Sequence, residues 1–323
     1  MDTKFIIAAL LLGFVATPLL GLLLKWVDRF LTARIQWRKG PPVYQPLADV
    51  LKLLGKETIV SEKASAGMFL LGPVIGFVGV AAAATILWGV VLKPEVSFTG
   101  DLVLVFYLLT LPALGLILGA SASGSPHAGL GAGRETKLLI AYELPFILAL
   151  VPPILKAGGT LRFLHIAGGV PLLPGPRPEP ILMGISMFLA ALCALAVVQA
   201  KLAVIPFDMS EAEGEIMGGA IVEYSGPPLA MIYLVRASLL FLLPMFVITV
   251  FWGGLTLQGW GILTTILKFV GLLVVIVLAK NTQPRLTIEQ AMKFFWFMVT
   301  PVAVIACVLA LYAVWVGGAA ITI

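Results

Sequence analysis

The chain has 323 residues, of which 60% are hydrophobic and only 11% charged. A soluble domain carries roughly 25% charged residues, so this composition excludes a soluble enzyme, a disordered chain and a nucleic-acid-binding domain. Lys and Arg number 21 against 16 Asp and Glu, a formal charge of +5; in a membrane protein such an excess reports loop orientation, not an acidic ligand.

A membrane-crossing helix needs about 20 predominantly apolar residues. Eight segments qualify: 5–24, 66–92, 102–121, 138–156, 181–205, 229–251, 262–279 and 294–316. The expected fold class is all-α, a polytopic membrane protein forming a single integral membrane domain over 1–323. The first segment is read as a retained helix. It is too long for a signal peptide's apolar region, and Lys25-Trp26-Val27-Asp28 follows it without a small-residue cleavage pattern.

Eight spans put both termini on one side. The loops after spans 1, 3, 5 and 7 hold most of the cations, eight of them in the first loop from Lys25 to Lys63. The opposite set, termini included, holds only Lys4, Lys93, Lys156, Arg162 and Arg177, with Lys201 at a helix edge. Positive charge stays on the cytoplasmic side. This predicts a cell-membrane protein with both termini outside, and an extended outer loop over the Pro-rich stretch 171–180.

In the first loop, after Pro46, apolar positions 47, 50, 51, 53 and 54 alternate with Asp49 and Lys52. The spacing predicts a short amphipathic helix at the interface. It is either a plain surface helix or part of a docking platform lining an opening from the membrane. Ionisable residues also fall in or beside the spans: Arg134, Glu135, Lys137, Glu143, Arg236 and Lys268. Such groups usually face a bundle interior or a water path. Glu135 and Glu143 are eight residues apart, about 12 Å along a helix, which makes a two-step carboxylate ladder; the bland alternative for Glu143 is a structural ion pair. Arg236 and Lys268 are read as snorkelling or bridging cations.

The third of these loops breaks the positive pattern. From Pro206 to Glu223 it carries Asp208, Glu211, Glu213, Glu215 and Glu223 and no Lys or Arg. Ser210 with Glu213 three residues on reads as a capping box opening a helix, which would set Glu211 and Glu215 on one face. Crowded, partly sheltered carboxylates can take and give protons near working pH. A solvated acidic loop would instead have to expose Phe207, Ile216, Met217, Ile221 and Val222. Cys193 and Cys307 lie inside apolar runs and only His127 and His165 accompany them, so no metal site is expected in this chain.

Four separated segments carry a resemblance. They are Ala33-Arg-Ile-Gln-Trp-Arg-Lys-Gly-Pro41 with Gln45-Pro-Leu-Ala-Asp-Val-Leu-Lys-Leu-Leu-Gly-Lys-Glu57; Gly124-Ser-Pro and Gly131-Ala-Gly-Arg-Glu135 with Ala141-Tyr-Glu-Leu-Pro145; Pro206-Phe-Asp-Met-Ser-Glu-Ala-Glu213 with Glu223-Tyr-Ser-Gly226; and Pro284-Arg285 with Gln290. Taken together and in this order, they resemble the membrane subunit 1 (H-subunit) family of respiratory complex I and of related membrane-bound hydrogenases. Pro42-Val-Tyr runs directly into Gln45-Pro46, where quinone-reducing members typically have several more residues, and Arg134-Glu135 is similar to the hydrogenase-type pattern.

The resemblance implies the ion-translocating membrane anchor of an energy-converting NiFe-hydrogenase, fed by ferredoxin and evolving hydrogen. A hydrogenase large subunit and an iron–sulfur small subunit would dock on the cytoplasmic face, with antiporter-like and small membrane subunits alongside in the bilayer. The NiFe centre and iron–sulfur clusters would reside in those partners. Glu135, Glu143, Asp208, Glu211, Glu213, Glu215 and Glu223 would carry ion coupling. Arg34, Arg38, Lys39, Asp49, Lys52, Lys56, Glu57, Arg134 and Arg285 would dock the partner or balance charge, Arg285 by ordering the acidic loop. Alternatives are the same subunit of a sulfur-, polysulfide- or quinone-reducing relative, a stand-alone secondary ion transporter, and a passive anchor.

Overall fold

The computed structural model describes residues 3–168, 179–256 and 259–317, apart from the side chain of Glu213. Arg177 and most of the Pro-rich stretch lie outside the described residues. Eight helices are long and apolar enough to span a bilayer. We number all the longer helices in chain order: α1 Thr3–Ile35, α2 Gln45–Leu54, α3 Ala66–Leu92, α4 Asp101–Ala122, α5 Pro126–Lys156, α6 Phe163–Gly168, α7 Pro180–Lys201, α8 Gly226–Phe251, α9 Gly261–Thr282 and α10 Ile288–Val316. Among the described residues there is no strand. The amphipathic helix expected after the first span is α2, and its Pro46 and Val50 are buried while Leu47, Leu51 and Leu54 remain exposed.

α3 coincides with its expected apolar segment, and α7 stops at Lys201, four residues short of the expected 205. Most helices extend past the segments that announce them, and α5 shows why this matters. Its apolar stretch begins near Leu138, yet the helix starts at Pro126. The roughly three added turns are held because Ala128, Gly131, Ala132 and Glu135 are themselves buried, so burial by neighbours replaces burial by lipid.

The core is built around α8, which beyond Arg236 is apolar on nearly every side. Leu242, Leu243, Met245, Phe246, Val247 and Ile248 have no exposed surface and pack with α5, α7 and α10 in one continuous cluster. Small residues let backbones touch, as is usual where lipid tails leave no hydrophobic force between helices. A Cβ at Gly21 of α1 would stand 2.2 Å from the Ala237 carbonyl oxygen of α8, and one at Gly115 of α4 would stand 2.4 Å from the Gly72 oxygen of α3. α9 is the least enclosed spanning helix, leaving Leu263, Ile266, Leu267 and Val270 outward for lipid or a neighbouring subunit.

Candidate functional site: an ion-paired acidic loop

The segment between α7 and α8 is a chain of short turns: Met209–Glu211, Glu213–Ile216 and Gly219–Ile221. Apolar anchors pull it onto the bundle. Phe207, Met209, Ala212, Ile216, Ala220 and Tyr224 are all buried. Phe207 lies against the rings of Phe294 and Phe295 of α10, at 5.7 and 5.0 Å between centroids. Tyr224 stacks on Phe69 at 4.3 Å and donates its hydroxyl hydrogen to the Phe69 carbonyl of α3. Gly131 of α5 lets the loop backbone come close, for a Cβ there would meet the Ala220 nitrogen at 2.3 Å.

Two expectations about this segment need correction. Ser210 does not cap a helix: its hydroxyl is buried, and the turn that starts at Glu213 follows Ala212 with no side-chain cap. Glu211 and Glu215 also do not share a helix face. Ala212 adopts a non-helical conformation that breaks the first turn from the second, because the backbone must bend to bury Met209, Ala212 and Ile216 together. Of the five flanking apolar residues, Phe207 and Ile216 are buried, Ile221 is half-buried, and Met217 and Val222 remain exposed.

Three of the loop's carboxylates are each tied to an arginine from a different part of the fold. Asp208 accepts from Arg285, just before α10, at 2.9 Å. Glu211 pairs with Arg236 of α8 and Glu215 with Arg134 of α5. Arg134 also donates to the Met209 carbonyl at 3.3 Å. Arg134 and Arg285 therefore bind the loop itself. Glu223 is half-buried and makes no ion pair among the described residues. Gln290 does local work: its Oε1 accepts from the Thr287 N–H, and Thr287 Oγ1 accepts in return, capping α10.

Glu135 and Glu143 sit on α5, Glu135 buried and Glu143 22% exposed at its side chain. Glu143 Oε1 lies 3.1 Å from Lys201 Nζ, whose side chain is only 2% exposed. Glu135 is buried, its Oε2 has no hydrogen-bond partner among the described residues, and its polar neighbours are Ser210, Arg236 and Lys201. A cavity of about 50 Å³ between α3, α4 and α8 is lined by Glu135, Lys201 and Arg236. Arg236 also lines a cavity of about 300 Å³ on the α1–α2 side, with Lys25, Arg29, Asp49 and Tyr233. A third cavity, about 360 Å³, opens on the far side of the loop among Arg134, Asp208, Glu215 and Arg285. The loop and its arginines thus stand between three spaces that water can enter.

The first loop divides into two roles. Arg34, Arg38, Lys39, Lys52, Lys56 and Glu57 are exposed and make no ion pair among the described residues. Trp37, on the same surface, is 97% exposed. Asp49 instead fastens α2 to α1, accepting from Arg29 at 2.7 Å and from Gln45 at 2.9 Å. Burial pushes its carboxyl up, but the Arg29 and Gln45 hydrogen bonds and the Arg29 charge outweigh it, so the net displacement is below the ordinary 3.8. A depressed folded value stabilises the structure above the ordinary value, and that stability is lost as pH falls through the folded one. Asp49→Asn should therefore lower the thermal midpoint at neutral pH by an amount that shrinks below about 3.8 and vanishes in stronger acid. The pair is partly exposed, so the effect should stay within about 1 kcal/mol.

Sequence reasoning left Lys201 at a helix edge and passed over Asp28 and Lys280. Asp28 is 4% exposed at its side chain, with Lys280 Nζ of α9 at 2.9 Å and Lys25 Nζ at 3.5 Å. A signal was present. Lys201 follows twenty uncharged residues from Ile181 to Ala200, and a lone cation there needs an acid from another span. Arg236 bridges to Glu211, while Lys268 donates to the Trp252 carbonyl at 2.7 Å. Among the described residues no group of three His, Cys, Asp or Glu could hold a metal. Cys193 and Cys307 are free thiols, each directed at a backbone carbonyl.

Residues 7–311 match the family model described as NADH dehydrogenase. The chain is 33% identical to the H-subunit of NADH-quinone oxidoreductase from Thermomicrobium roseum, covering 94% of this chain and 95% of that protein. It is 28% identical to NADH-ubiquinone oxidoreductase chain 1 of Dictyostelium citrinum, over 94% and 90%. Among solved structures it is similar to a chain of the membrane-bound sulfane sulfur reductase, an archaeal respiratory membrane complex. That match has a TM-score of 0.81 and 30% identity, covering 94% of this chain and 99% of the other. With its eight apolar helices and its match to relatives nearly end to end, the chain belongs to the NADH dehydrogenase family, as an H-subunit-like membrane component of a respiratory oxidoreductase complex.

Proposed function

We propose that this chain anchors the redox module of a membrane-bound, ferredoxin-dependent hydrogenase on the cytoplasmic face and couples its electron transfer to proton or sodium translocation. The observation that carries the reading is the acidic loop, with three carboxylates tied to arginines from three parts of the fold. In this reading a charge change in the docked partner alters the field at Arg134, Arg285 and the loop acids. Their pairings with Asp208 and Glu215 shift, Arg236 transmits the change past Glu211, and Glu135 and Glu143 respond across the inner cavity. Such coupling needs only different interaction energies in two charge states. The exposed cations Arg34, Arg38, Lys39, Lys52 and Lys56, with Trp37, form the docking surface. Two separate thiols, Cys193 and Cys307, each directed at a backbone carbonyl, do not fit a nickel or iron–sulfur ligand set, so the NiFe and iron–sulfur chemistry is assigned to partner subunits.

A second reading has support of its own. The similarity to a chain of the sulfane sulfur reductase favours a sulfur compound as terminal acceptor. Purification of the intact complex and reconstitution in vesicles decide between them. Hydrogen formed from reduced ferredoxin together with ion uptake supports the hydrogenase; sulfide formed from a sulfane sulfur compound supports the second reading. A chain that purifies alone and moves ions without electron transfer overturns both in favour of a stand-alone transporter.

A further inference from the structure

Lys201 ends α7 inside the bundle, with 2% of its side chain exposed. Its ammonium is held on one side by Glu143 at 3.1 Å. On the other it faces the rings of Tyr142, Phe146 and Phe106, at 4.8, 5.2 and 5.9 Å from their centroids. A cation over ring faces is attracted without a hydrogen bond or a counter-charge, so these rings supply part of the ammonium's interaction energy when Glu143 is neutral. Lys201 also lines the 50 Å³ cavity together with Glu135, whose Oε2 has no hydrogen-bond partner among the described residues. The cavity has room for about one or two waters. Arg236 shares the cavity wall but is already held by Glu211. The long flexible stem of a lysine can move its point charge between two acids, where a bidentate arginine is fixed.

We propose that Lys201 is a two-position relay between Glu143 and Glu135. This rests on the coupling role given above and names the residue that links its two inner carboxylates. In the first position Lys201 pairs with ionised Glu143, and Glu135 holds a proton. A proton reaching Glu143 neutralises it, and the ammonium swings across the cavity toward Glu135. Its arrival favours the ionised form of Glu135, which gives its proton to a cavity water. One proton enters at Glu143 and one leaves from Glu135, while Lys201 stays protonated. Ser210 beside Glu135 and Arg236 at the cavity wall are the other polar groups that hold the second position in place. Lys201 acts here as a positioning residue, and the aromatic rings surround its first position, beside Glu143.

The test uses the assembled complex in vesicles driven by reduced viologen. Lys201→Met should keep electron transfer in detergent near the wild-type rate while ions moved per electron fall about tenfold, within the 5–150-fold range of typical coupling. Redox-induced infrared difference spectra give the readout that a merely structural lysine would not move. The wild type should show one protonated-carboxyl band lost as another appears, with the two bands shifted separately by Glu135→Asp and Glu143→Asp. Lys201→Met should abolish the exchange. Normal coupling in Lys201→Met overturns the relay. If that variant does not assemble, the wild-type spectrum decides, and the absence of paired carboxyl bands overturns it. A wild-type complex that moves no ions overturns the coupling role itself, and so is distinguishable from failure of the relay alone.

Discussion

Glu143→Gln should cut the ions moved per electron by about tenfold or more in the assembled, reconstituted complex, with electron transfer in detergent much less affected. Gln keeps the shape of Glu and removes only the charge. That charge faces Lys201 Nζ at 3.1 Å in a site where the lysine side chain is 2% exposed. Glu143 is 22% exposed, so losing its charge weakens the pair by less than the roughly 3–5 kcal/mol of a fully buried one, and about 1.4 kcal/mol lost from a coupling free energy is a tenfold loss. The Tyr142, Phe146 and Phe106 rings around Lys201 soften the structural penalty, so the variant should assemble. An unchanged ratio of ions to electrons, measured with a pH- or sodium-sensitive dye inside the vesicles, removes Glu143 from the coupling path. Running the assay with a protonophore and then a sodium ionophore identifies the ion at the same time.

The second large effect is expected at a place with no part in the coupling. Lys280→Met should strand Asp28, whose side chain is 4% exposed and whose nearer ammonium is that of Lys280, at 2.9 Å against 3.5 Å for Lys25. A buried carboxylate deprived of its partner destabilises by about 3–5 kcal/mol. Lys25 compensates in part, so the low end of that range is expected. The damage should be local. α9 is the least enclosed spanning helix, and besides this ion pair Asn281 donates to Thr32 of α1 at 3.2 Å. Limited proteolysis in detergent should therefore cut near α9 in Lys280→Met and spare the wild type. The double variant Asp28→Leu with Lys280→Met should recover most of the loss, since replacing both ions by apolar groups of similar size is often neutral or better. If the single variant is as resistant as the wild type, Asp28 is solvated in the membrane-embedded protein.

Eight spans and the interfacial helix could be read from the sequence because lipid imposes length and composition on every crossing helix. The carboxylates of the acidic loop were likewise visible as a run of like charge where cations were due. The partners were not. Nothing in the spacing of Glu211 and Arg236, or of Glu215 and Arg134, points one to the other, since the pairs are 25 and 81 residues apart. The capping-box reading of Ser210 failed for a related reason. Local propensity favoured a helix there, but burying Met209, Ala212 and Ile216 required a bend that no local rule anticipates. Lys201 was missed because a cation at a span end is ordinarily a snorkelling residue, and only the packing of α5 on α7 encloses it.

The three arginines that fasten the acidic loop come from α5, α8 and the approach to α10. Neutralising one carboxylate therefore removes one of three ion pairs and leaves the other two in place: Glu215 is lost from α5, where Arg134 still holds the Met209 carbonyl, Glu211 from α8, or Asp208 from the approach to α10. The loop is thus held at three separately breakable points, one for each part of the bundle that it touches.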